Sequence, residues 1–130
     1  MTPIAAPRGT RDLLPADFEA HRWVLDTHAR VAEQHGYRPL DTPVFEATEL
    51  FARAVGAGTD IVEKQMFTFE DRGGRSLALR PEFTAGVTRA VMGVRLDQEL
   101  RPARLHAAGP LFRAERPQAG RQHQFHQVDL

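Results

Sequence analysis

Arg113, Glu115 and Arg116 fall within four consecutive positions, and Arg121, Phe125 and Gln127 follow closely. Guanidinium groups grip phosphates or carboxylates bidentately, which ammonium groups do not. A carboxylate accepts hydrogen bonds from an exocyclic amine, and an aromatic ring stacks on a planar base. On one surface, this set could hold a nucleotide. Arg113 would grip a phosphate, Glu115 would accept from an amino group, and Phe125 would lie against the base. The same residues would also suit a surface hairpin with ordinary ion pairs and one packing aromatic. A second cluster, Arg80-Pro81-Glu82-Phe83-Thr84, stands where a strand gives way to a helix. There Glu82 or Thr84 could cap the helix, or the two could bind a polar or cationic small molecule at the strand end.

Two other patterns carry less. His123 and His126 are three apart. On a strand that spacing sends them to opposite faces, so no shared metal is expected. Gly56-Ala57-Gly58 and Arg72-Gly73-Gly74 are too short for phosphate loops and read as a helix stop and a turn.

The elements that must position these residues follow from periodicity. Residues 1–15 form an extended lead-in broken by Pro3, Pro7, Gly9 and Pro15. From Asp17 to His35, the residues Phe18, Val24, Leu25, Val31 and Ala32 mark the apolar face of a long helix, with Trp23 as core or interface packing and Gly36 as the stop. Tyr37–Phe45 contains Pro39 and Pro43 and reads as an edge or interface strand. Thr48–Val55 is a short helix closed by Gly56 and Gly58. Gln65–Glu70 and Ser76–Arg80 are strands joined by the turn Asp71-Arg72-Gly73-Gly74. Pro81–Val94 is a helix and Leu105–Arg113 a strand. Ala114–Arg121 is a loop with Pro117 and Gly120, and Gln124–Leu130 is the returning strand. On that strand Phe125 and Gln127 share one face and Val128 and Leu130 the other, with the apolar pair expected on the core side. The order predicts an α+β domain, an antiparallel β-sheet with flanking helices. The last strand runs to the final residue, so the chain is expected to be cut short.

Composition narrows the function classes. At 130 residues the chain is one domain in size, and 17 basic residues balance 17 acidic ones. That balance argues against binding nucleic acid by bulk charge, although residues 101–130 hold five arginines against Glu115 and Asp129. Of the basic residues only Lys64 is a lysine, a bias that fits either codon usage or selection for bidentate contacts. With no cysteine, disulfides, thiol nucleophiles and Cys-ligated zinc are excluded. No apolar run approaches the about 20 residues of a membrane helix, and Met1–Arg8 holds no apolar signal region, so a cytoplasmic protein is expected.

Several long segments, in order, resemble the N-terminal part of the catalytic domain of histidyl-tRNA synthetase, a class II aminoacyl-tRNA synthetase. Pro7-Arg8-Gly9-Thr10-Arg11-Asp12 resembles the family's opening PRGTxD. The helix and proline-bearing strand over about 17–45 look like motif 1, a dimer-interface element. Thr59–Lys64 and Met66–Phe69 follow TDIVEKEMYTF, and Leu79–Ala85 resembles LRPEGTA. Residues from about 105 to 130, including Gly109–Gln118 and Gly120–Gln127, resemble motif 2. The chain departs from the pattern at Phe83, where glycine is usual, at Gln122 and His123 in place of Tyr-Arg, and at Ala57 and Gln65 in place of glutamates. An acidic residue usual shortly after Gln127 is also missing.

The resemblance implies a set of roles. Arg113 would be the catalytic residue, binding the α-phosphate of ATP and the carboxylate of histidine. Glu115 would read the adenine amino group, Phe125 would stack on the ring, and Arg121 would reach the terminal phosphates. Glu82, Thr84 and Gln127 would hold the histidine substrate, with Phe83 intruding on that loop. Mg2+ would accompany ATP, no resident metal is implied, and tRNA(His) would accept the histidyl group. Motif 3, the further histidine-binding loops and the anticodon-binding domain would lie beyond residue 130, so activity of these residues alone is expected to be weak or nil. The alternative implied is a non-catalytic module, either self-associating or akin to the regulatory subunit of ATP phosphoribosyltransferase.

Overall fold

The computed structural model describes residues 3–55, 65–116 and 118–130. The expected stop at Gly56 and Gly58, the segment Thr59–Lys64, the departure at Ala57 and the breaker Pro117 lie outside the described residues. Helix α1 spans Pro15–Gln34, with proline in its first turn, where the missing N–H costs nothing. It ends in a Schellman turn. Gly36 takes φ +80°, its N–H donates to Glu33 O at 3.0 Å, and Tyr37 N–H donates to Ala32 O at 3.0 Å. Strand β1, Arg38–Pro39, and strand β2, Phe45–Ala47, follow, and helix α2 covers Thr48–Val55. Strands β3, Thr68–Glu70, and β4, Ser76–Leu79, form a hairpin. Its turn is closed by Asp71, whose Oδ1 accepts from Gly73 N at 2.9 Å and Arg75 N at 3.0 Å. Helix α3 is Thr84–Gly93, helix α4 Leu96–Glu99, strand β5 Leu105–Phe112 and strand β6 Gln124–Asp129.

Two three-stranded sheets result, ordered β1-β5-β6 and β2-β4-β3. All pairs are antiparallel except β1 with β5, which is parallel. The α+β class therefore holds. The stretch expected as one strand over Tyr37–Phe45 is divided instead. Arg38–Pro39 edges one sheet, and the chain then crosses to the other at Phe45. Pro43 between them has no N–H to donate to a continuous ladder. Helix α4 was not legible in the sequence.

Burial corrects two expectations and narrows a third, that of Trp23, to interface packing. The stripe on α1 is mostly outward: Phe18, Val24 and Val31 are exposed, and Trp23 is 68% exposed, not core. The inward face is His21, Leu25, His28 and Ala32, at spacings of four, three and four. His21 meets His126 of β6 with ring centroids 4.2 Å apart, and His28 meets His106 of β5 at 5.3 Å. Val128 and Leu130 share that α1 side but stay exposed. The core lies on the other face of the sheet, where Phe83, Ala107 and Leu111 are buried with Val87 and Phe125 against them. A second cluster joins Phe51, Ala78 and Ala85 between α2, β4 and α3.

Candidate functional site

Strand register decides which side chains meet. Pairing sets Leu111 opposite Phe125, Gly109 opposite Gln127 and Ala107 opposite Asp129. With period two, Phe125, Gln127 and Asp129 all face the α3 side of the sheet. Phe125 and Gln127 thus share a face, although the face opposite them is not the apolar core that the sequence suggested. Beyond the end of β5, Arg113 is held from two directions. Its N–H donates to His123 O at 2.9 Å, and its Nε donates to Pro81 O at 3.1 Å. Its Cζ sits 5.1 Å from the centroid of the Phe125 ring, a cation–π distance.

One cavity is lined by Arg113, Glu115, Gly120, Arg121, Gln122 and Phe125. The four residues expected at a nucleotide are therefore neighbours. Arg121 Nη1 lies 3.4 Å from Glu115 Oε2, with the arginine side chain 64% exposed. Such a solvent-exposed pair is worth little, so an anion can take the guanidinium from it at small cost. Gly120 turns the loop at φ +79°, and a small bridge between Gln118 and Arg121 closes its tip. At the base, His123 does more than the sequence indicated. Its backbone N–H donates to Gly9 O at 2.7 Å, and its ring Nε2 lies 2.8 Å from Glu115 O. The ring also packs edge-on against Phe67 at 5.3 Å, while His126 faces α1, so the two histidines occupy opposite faces.

The residues expected at an amino acid substrate are less gathered. Glu82 Oε1 accepts from Ala85 N at 3.0 Å and so caps α3, one of the two roles its position allowed. Phe83 is buried. It is 1% exposed, and Arg80 Cζ lies 4.7 Å from its ring centroid. Its side chain belongs to the core because, just before α3, it packs with Ala107 and Leu111 of β5, with Val87 and Phe125 against them. Thr84 is exposed and opens onto a separate cleft shared with Val87, Thr88, Ala107 and Asp129. Gln127 lies between that cleft and the arginine-lined cavity on the same sheet face. Asp129, two after Gln127, is an acidic residue on that same face, which corrects the expectation that none stands shortly after Gln127; its parity with Gln127 was the signal for its placement. Arg80 was named with its cluster but given no task. It is in phase with buried Ala78 on β4, which marks it as inward. Nothing in the sequence marks His123 as a tie.

Among the described residues, no three His, Asp or Glu side chains converge as a metal site, and no helix is long and apolar enough to cross a membrane.

Comparison with known proteins gives a consistent result. The profile of the family described as histidyl-tRNA synthetase matches residues 9–129. A histidine–tRNA ligase of Halothermothrix orenii is 50% identical over 127 residues, covering 98% of this chain and 30% of that protein. The crystal structure of apo S. aureus histidyl-tRNA synthetase superposes with a TM-score of 0.77 at 35% identity, covering 96% of this chain and 28% of that one. A Bacillus halodurans protein described as an ATP phosphoribosyltransferase regulatory subunit/histidyl-tRNA synthetase gives a TM-score of 0.79 at 29% identity, covering 98% and 32%. The chain thus spans about three-tenths of the length of the curated relatives it matches.

Proposed function

The chain belongs to the histidyl-tRNA synthetase family, and from that premise we propose that it forms the ATP-facing wall of a class II histidine-activating site. The observation that carries this reading is the convergence of Arg113, Glu115, Arg121 and Phe125 on one cavity. Adenine stacks on Phe125 with its amino group toward Glu115. Arg113 takes the α-phosphate, and Arg121 leaves Glu115 for the terminal phosphates. Mg2+ enters with ATP as the companion of its phosphates and is treated as part of that substrate.

In the reaction the histidine carboxylate attacks the α-phosphorus and pyrophosphate departs. Negative charge builds on the non-bridging oxygens of that phosphorus. Arg113, already aimed by its bond to Pro81 O, neutralises the charge without reorganising. No protein nucleophile is needed, and rate comes from alignment and electrostatics. Histidine lies along Gln127 toward Thr84, with the free oxygen of Glu82 and the Asp129 carboxylate available to its cationic groups. Transfer to tRNA(His) would follow in the cytoplasm. Phe18, Trp23, Val24 and Val31, exposed on α1, support self-association through the motif 1 helix. A light-scattering mass of a single chain at high concentration would count against it.

Calorimetric titration with Mg·ATP and with histidine, run separately, tests the reading. Mg·ATP should bind, and Arg113→Ala should weaken it by about 10- to 100-fold, the loss of a charge-assisted pair. Equal heats from wild type and Arg113→Ala would overturn it. The likeness to the B. halodurans protein supports a second reading, a regulatory module. Co-purification with a phosphoribosyltransferase in the absence of any ATP binding would favour that one.

A further inference from the structure

Arg80 is a buried charge with a weak partner. It is 3% exposed, and its Nη1 lies 3.2 Å from Oδ1 of Asp41, whose side chain is 81% exposed. A buried guanidinium whose counter-ion sits in solvent is a poor source of stability, and an apolar residue of similar volume often serves as well. Its other hydrogen bonds run to Pro110 and Thr42, including one of 3.4 Å from Nη1 to Thr42 Oγ1. Nε donates to Pro110 O at 2.9 Å, and Nη1 donates to Thr42 O at 2.6 Å. The guanidinium thus ties the extended segment after β1 to strand β5, with Phe83 stacked on it. Gly109 makes room for it, because a Cβ there would stand 2.8 Å from Nη2.

The backbone of Arg80 is fixed as well. Its N–H donates to Val44 O at 2.9 Å, and its carbonyl accepts from Phe112 N at 3.0 Å. The next carbonyl along, that of buried Pro81, is the one that receives Arg113 Nε. Side chain and backbone together leave the Arg80–Pro81 peptide one orientation. Among the described residues, neither Nη of Arg113 has a hydrogen-bond acceptor, so both stay available to the cavity once Nε is engaged. We propose that Arg80 is a positioning residue, whose buried guanidinium fixes the Pro81 carbonyl and thereby aims Arg113. This rests on the nucleotide reading above for what Arg113 then grips, but the aiming itself is a separate claim.

The test compares wild type, Arg80→Lys and Asp41→Asn in the whole chain, with 15N-labelled arginine. The Arg113 Nε–Hε signal is identified by its loss in Arg113→Lys. Lysine keeps the charge and the stem but cannot bridge Pro110 O and Thr42 O together. In Arg80→Lys, with the urea midpoint near that of wild type, the Arg113 Nε–Hε proton should exchange about tenfold faster, the loss of roughly one hydrogen bond. Mg·ATP affinity should fall by a similar factor. An unchanged Arg113 exchange rate in folded Arg80→Lys overturns the proposal. If Arg80→Lys does not fold, Asp41→Asn decides, since its side chain is exposed. The Arg80 and Arg113 Nε–Hε signals should then shift together, and a shift of Arg80 alone overturns the proposal. Faster exchange with no Mg·ATP binding even in wild type would uphold the aiming and sink the nucleotide reading.

Discussion

Phe83→Ala separates two accounts of the same residue. By resemblance, a bulky ring at that position crowds the histidine-binding loop. The structure buries the ring to 1% exposure against Ala107 and Leu111, with Arg80 stacked on it. Truncating a buried phenylalanine costs about 3–5 kcal/mol, part of it the cavity left behind. The neighbours here are small or already fixed by Arg80, so little collapse is available and a value of about 4 kcal/mol is expected. Against a total stability of about 5–15 kcal/mol that is a large fraction. With a urea dependence of about 2 kcal/mol per molar, the midpoint should fall by about 2 M. Phe83→Leu, which keeps most of the volume, should lose about 1–1.5 kcal/mol. Urea unfolding followed by circular dichroism reads both, and calorimetry with histidine reads the site. Neither variant should bind histidine more tightly than wild type. A Phe83→Ala chain with an unchanged midpoint and tighter histidine binding would show that the ring occupies ligand space, and the core assignment would be refuted.

Three further outcomes follow from the geometry. His126 is held below the usual histidine value of 6.5, first by desolvation and then by the facing His21. As pH falls through 6.5 the unfolded chain takes a proton that folded His126 resists, so stability should drop there and be fully present above it. Urea midpoints at about pH 8 and about pH 5.5 should differ less in His126→Gln than in wild type, and equal slopes would contradict this. Gly9 has φ +80°, and a Cβ on it would meet the His123 ring at 2.5 Å. Gly9→Ala should therefore cost about 1–3 kcal/mol, and a neutral urea curve would mean that the contact is not made. Finally, Arg121→Ala should weaken Mg·ATP less than Arg113→Ala does, because Arg121 is exposed and must first leave Glu115. Calorimetry giving the reverse order would overturn that ranking.

Local chemistry made much of this fold legible. Proline, glycine and acidic residues marked the ends of α1, and Thr48–Val55 matched its helix at both ends. The Asp71–Gly74 turn was visible because aspartate and glycine close hairpins in a known way. The face of α1 was misread because two of its inward residues are histidines, which no apolar stripe counts. The splitting of Tyr37–Phe45 between two sheets depends on non-local pairing, which periodicity does not contain. For the cavity, parity put Phe125 and Gln127 on one face, and that survived even though Val128 and Leu130 are exposed rather than core. The depth of Phe83 was not legible, because it depends on how α3 leans on β5.

The β5–β6 hairpin has a firm base and a light tip, and that division suits a ligand with a planar head and a charged tail. At the base, Arg113 N–H, His123 N–H and the His123 ring tie β5, β6 and the lead-in at Gly9 together over 2.7–2.9 Å. On the proposed reading, an incoming base and α-phosphate would meet an Arg113 side chain already held by Pro81 O, so binding there would cost little side-chain entropy. At the tip, an exposed ion pair and the small bridge between Gln118 and Arg121 are what closes the turn among the described residues. On the proposed reading, that end would open and re-form around the terminal phosphates. Zero net charge is compatible with this arrangement, because recognition of one short polyanion needs two or three placed guanidinium groups and no broad positive field.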